Sequence, residues 1–93
     1  MVKHIVVYKF KEDVNHEEAI EIIRNSLVPL VGQIPGLTHM EVNLCFQGMD
    51  YALYSEFESR EAMENYAVHP LHEAAKGKFF HFIGTRVAAD YEV

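Results

Sequence analysis

The stretch YAVHPLHEA, Tyr66 to Ala74, places a phenol and two imidazoles, His69 and His72, around a proline. An imidazole with an ordinary pKa near about 6.5 takes a proton from an acidic carbon around neutral pH, and a phenol donates to the oxyanion that develops. Such groups form a polar end to an apolar pocket. Their bland role is to satisfy polar atoms at a helix break, and His69, directly before Pro70, suits that role by capping or bracing the break. The pair also spells HxxH, but it lacks the intervening glutamate and the further ligands of a zinc hydrolase, so no metal is expected. Elsewhere, His39 faces solvent or a partner, His16 lies exposed in a first helical turn, and His81 sits between phenylalanines with a structural role.

Composition sets the frame for this chemistry. With 49% hydrophobic and 24% charged residues, the 93-residue chain reads as one globular domain, 1–93. Eight basic against fourteen acidic side chains give a charge of -6, which argues against nucleic acid and anionic membranes as partners. No apolar run approaches the roughly 20 residues of a membrane span, and MVKHIVVYKF is too regularly interrupted for a signal peptide, so a cytoplasmic protein is expected. Cys45, the single cysteine, excludes an intrachain disulfide and reads as a small hydrophobe in a strand.

The elements that must position the polar residues follow from periodicity. Val2, His4, Val6, Tyr8 and Phe10 alternate with Lys3, Ile5, Val7 and Lys9, a strand with apolar groups on both sides. Asn15 and Glu18 form a capping box for a helix whose apolar positions run from Ala19 to Ile34, kinked or loosened near Leu27 by Pro29. Leu37 to Phe46 and Tyr51 to Glu58 read as an antiparallel hairpin, with Met40, Val42, Leu44 and Phe46 on the face opposite Leu37 and Cys45. Ser59 caps a helix to Tyr66, Pro70 opens another from Leu71 to about Lys76, and the last strand spans about Thr85 to Val93.

This order defines an α+β, ferredoxin-like βαββαβ protomer: a four-stranded antiparallel sheet with helices on one face and a second helix broken at His69-Pro70. The uncovered apolar face calls for a lid, which a second copy packed sheet to sheet supplies. His4 shares its side of the first strand with Val6 and Tyr8, so these residues line any pocket, while Ile5 and Val7 belong to the dimer side. The apolar interior either fills completely or leaves a tunnel for a hydrophobic small molecule.

VKHIVVYKFK, IPG, YALYSEFES, YAVHPLHEA and ADYEV, in this order along essentially the whole chain, resemble the stress-responsive A/B barrel family of dimeric α+β barrels. The resemblance implies a homodimer joined through the open face of the sheet. It extends to plant polyketide cyclases of the olivetolic acid type, which close a linear tetraketide-CoA by aldol condensation without cofactor or metal. Their catalytic tyrosine and histidine fall on Tyr66 and His72, and a first-strand histidine falls on His4. A third-strand histidine of that enzyme is replaced here by Tyr51. The implied site therefore has His72 as base, Tyr66 as carbonyl donor and His4 orienting the substrate or the imidazole, with Tyr51, His69, Val6 and Tyr8 contacting a ketone-containing substrate. Two other functions stay open: a non-catalytic stress-response or structural dimer, and a cofactor-independent monooxygenase or haem-handling protein of related shape.

Overall fold

In the computed structural model, which describes residues 1–93, alternation along the first segment gives strand β1, Val2–Phe10. It is followed by α1 (His16–Leu27), β2 (Leu37–Leu44), β3 (Tyr51–Phe57), α2 (Arg60–Val68), α3 (Pro70–Phe79) and β4 (Ile83–Glu92). The strands form one sheet in the order β2-β3-β1-β4, and every pairing is antiparallel. This is the ferredoxin-like arrangement with a divided second helix. Val2, Val6, Tyr8 and Phe10 of β1 meet Ala19, Ile20, Ile23 and Leu27 of α1 in the core. Side chains cap the helices where the sequence places them: Asn15 Oδ1 accepts from the Glu18 amide at 3.0 Å, and Ser59 Oγ from that of Ala62 at 3.1 Å.

Three local expectations are corrected. α1 does not continue through Pro29 to Ile34 as a kinked helix; it stops at Leu27 and tightens into a 3-10 turn over Val28–Leu30. Pro29 has no N–H to donate, and the turn does not require one. Leu30 and Ile34 remain buried nonetheless. Leu37 shares the buried side with Met40 and Val42, because a bulge pairs Leu37 with Phe57 and His39 with Glu56, leaving Thr38 as the extra residue. β2 ends at Leu44, so Cys45 and Phe46 lie in a loop and Phe46 is fully exposed. That loop is closed by Asp50, whose carbonyl accepts from the Cys45 amide at 2.9 Å and whose carboxylate accepts from the Phe10 amide at 2.8 Å.

No element covers the second face of the sheet. The pairing register puts Ile5 and Val7 of β1 beside Tyr54 and Ala52 of β3 on one side and Ala89 and Val87 of β4 on the other. Val87 and Tyr91 are about half exposed there, at 58% and 48%. A polar strip borders them, in which Lys3 Nζ donates to Tyr54 Oη at 2.9 Å and Tyr54 Oη donates to Glu56.

Gly36 and Gly48 share a left-handed backbone, with φ +85 and +86, but only Gly36 is crowded: a Cβ there would lie 2.4 Å from Ala62 Cβ. Gly48→Ala should therefore cost about 1 kcal/mol for its backbone alone. Gly36→Ala should cost a further 1–3 kcal/mol or so, because α2 must shift. Urea unfolding of the two variants measures the difference, and equal midpoints would contradict the close approach of α2 to this turn.

Candidate active site

Pro70 shapes this site before any side chain is considered. A residue preceding proline is driven out of the helical region, and His69 adopts ψ 137. Its amide donates back to the Tyr66 carbonyl at 3.1 Å, closing α2. Its Nδ1 accepts from the Leu71 amide at 3.1 Å, capping α3. In an unbroken helix, residues six apart are rotated by about 240° and point to different faces. Across the break, the rings of Tyr66 and His72 instead come together, with centroids 4.1 Å apart.

Tyr66 is buried, and burial pushes its phenol pKa well above the ordinary value, so at neutral pH it is a protonated donor. His72 is half-buried. Its Nδ1 lies 3.3 Å from the Ala67 carbonyl, which can only accept. Nδ1 therefore carries the proton, and Nε2 keeps its lone pair. Burial holds the His72 pKa below 6.5, opposed by the Ala67 bond and reinforced by Lys76. His4 Nδ1 bonds the Asp90 carboxylate across the β1–β4 pairing.

These groups meet at a cavity of about 390 Å³ between the sheet and the helices, whose wall includes His4, Tyr8, Tyr66, His72, Arg86 and Asp90. Leu53, Met63, Phe79 and Ile83 supply apolar surface. The interior is thus not filled solid. His4, Tyr8, Tyr66 and His72, all singled out in the sequence, stand together in this wall. The other three candidates lie elsewhere. Val6 is buried in the core, and His69 serves as the cap described above. Tyr51 is fully buried, stacked 4.4 Å from Tyr8 and 5.0 Å from Phe10, with its hydroxyl unpartnered. No group of three His, Cys, Asp or Glu side chains converges to hold a metal ion, and no helix is long and apolar enough to cross a membrane.

Sequence reasoning did not single out Asp90 and Arg86. Four residues apart, they share one side of β4 by alternation. Choosing the cavity side requires the pairing of Asp90 with His4 and Arg86 with Tyr8, and a Gly84 bulge sets that register where β4 begins.

A ferredoxin-like sheet with a tyrosine-histidine cavity over its β1–β4 side defines a class, and sequence comparison identifies the family. The chain matches the stress-responsive A/B barrel domain over residues 2–93 and belongs to that family. A stress-response A/B barrel domain-containing protein of Arabidopsis thaliana is 31% identical, the match covering 98% of this chain and 85% of that protein. Among solved structures, a dimeric protein of unknown function and ferredoxin-like fold from Bacteroides fragilis superposes with a TM-score of 0.88 at 31% identity, covering 99% of this chain and 95% of that one. A hydroxynitrile lyase from Passiflora edulis shares the fold at 20% identity, with a TM-score of 0.81 and coverage of 97% and 90%.

The depressed His72 pKa has a defined consequence for stability. The unfolded chain takes up this proton near 6.5, before the folded protein does. The stabilising contribution is therefore complete above about pH 6.5 and declines as pH falls through the folded pKa. An NMR titration should place the His72 midpoint below 6.5. His72→Asn should flatten the acid side of the stability profile; a midpoint at or above the ordinary value would refute the desolvated placement.

Proposed function

We propose that this chain is a homodimeric, cofactor-independent protein that binds a hydrophobic ketone-containing small molecule and transfers a proton from carbon, as a cyclase or lyase does. The observation that carries the reading is the Tyr66–His72 contact at 4.1 Å in the wall of an open cavity. His72 Nε2 takes the proton α to the carbonyl, and the Tyr66 hydroxyl donates to the carbonyl oxygen as it gains enolate character. The His4–Asp90 pair fixes the first-strand imidazole and orients the bound ketone. With its pKa below the ordinary value, His72 is the free base at neutral pH.

Supplying a poly-β-keto substrate, or following deuterium exchange α to a ketone, tests the assignment. His72→Ala should lower the rate by about 10²–10⁴-fold, and Tyr66→Phe by about 10²-fold. The wild-type rate should rise with pH through the His72 midpoint and then level off. Rates in both variants equal to wild type would leave a non-catalytic dimer, the competing reading favoured by the bond from His72 to its own backbone neighbourhood.

The open sheet face is proposed as the dimer surface, in line with the solved Bacteroides fragilis relative, which is described as dimeric. Ile5, Val7, Val87, Ala89 and Tyr91 supply its apolar part. Light scattering should give twice the 10.7 kDa chain mass. Val87→Glu, at an exposed position of the protomer, should return the folded monomer; a dimer undisturbed by this change would place the interface elsewhere.

A further inference from the structure

Arg86 stands in the cavity wall, directly across the sheet from Tyr8. The other charged groups of that wall are largely engaged. Asp90 is held by His4, and Lys76 pairs with Glu73 at 3.3 Å while lying over the Phe80 ring. Glu64 is exposed on α2. Arg86 takes part in none of the six ion pairs of the chain.

The pairing register sets Arg86 opposite Tyr8, both line the cavity, and the Tyr8 ring stacks on that of Tyr51 with centroids 4.4 Å apart. The Tyr51 hydroxyl beneath that stack is buried with no hydrogen-bond partner. Arginine offers its donors in a planar fork that matches a carboxylate with two parallel bonds. His4 and Tyr8 are four residues apart on one face of β1, so the His4–Asp90 and Tyr8–Arg86 ends of the cavity are separated by about 13 Å along the strand. Apolar side chains line the space around them.

We propose that the cavity selects ligands bearing a carboxylate, seated on Arg86 and the Tyr8 hydroxyl, with an apolar body lying against Leu53, Phe79 and Ile83. This inference rests on the small-molecule reading above and specifies its substrate class: a keto acid rather than a neutral ketone or ester. The selectivity is local to Arg86, because the chain as a whole carries a charge of -6 and would repel an anion.

The test is calorimetric titration with 4-oxo-6-phenylhexanoate and with its methyl ester, which differ in the anionic end. Wild type should bind the acid about tenfold more tightly than the ester, a preference that shrinks as salt is raised. Arg86→Gln should lose about tenfold for the acid and leave the ester unchanged, so the ester also reports an intact cavity. Arg86→Lys should recover part of the loss, since it restores charge without the fork. Equal affinities of wild type for the two compounds, or a preference that survives in Arg86→Gln, would overturn the carboxylate inference while leaving the cavity reading intact. Failure of both compounds to bind wild type would overturn the cavity reading and this inference with it.

Discussion

The break at His69-Pro70 is the constraint from which the site follows. A proline without an N–H, preceded by a residue it forces into extended backbone, divides what would be one helix and redirects its second half. The two halves remain tied, because the His69 amide returns to Tyr66 and the His69 carbonyl accepts from Glu73 at 3.0 Å. Two residues that an uninterrupted helix would turn apart are thereby brought together in the wall of one cavity. Two backbone amides at the break are taken up locally, that of His69 by the Tyr66 carbonyl and that of Leu71 by His69 Nδ1.

Burial then sorts the polar groups by what they can do. Burial raises the pKa values of the Tyr8 and Tyr66 phenols, which keeps them as donors, and it lowers that of the His72 imidazole, which keeps it as an acceptor. One physical cause thus leaves the phenols protonated and the imidazole neutral at the same pH. The His72 tautomer is fixed by a backbone carbonyl, whereas His4 relies on a carboxylate from a neighbouring strand.

Element types were legible in the sequence because alternation, caps and the proline are local signals. Element ends were less so: Pro29 disturbs a helix in either of two ways, and only the packing of Leu30 and Ile34 selects the 3-10 turn. The bulge at Thr38 is invisible to strict alternation, which put Leu37 on the wrong face. For the cavity, parity joined His4 to Tyr8 and one short segment held Tyr66 and His72, but only the family resemblance brought the two groups together. Asp90 and Arg86 become part of it only through long-range pairing of the first and last strands, a relation no single segment encodes. Tyr51 entered the expected site only because the resemblance aligns it with a third-strand histidine, and the fold packs it into the core against Tyr8 and Phe10.

β4 serves two surfaces at once. Arg86 and Asp90 turn toward the cavity, while Val87, Ala89 and Tyr91 turn to the uncovered side of the sheet. It lies at the sheet margin, hydrogen-bonded along one flank only. Because neighbouring residues of this one ribbon face opposite ways, a slip of a single residue in its register would turn Arg86 and Asp90 out of the cavity wall and bring Val87, Ala89 and Tyr91 into it.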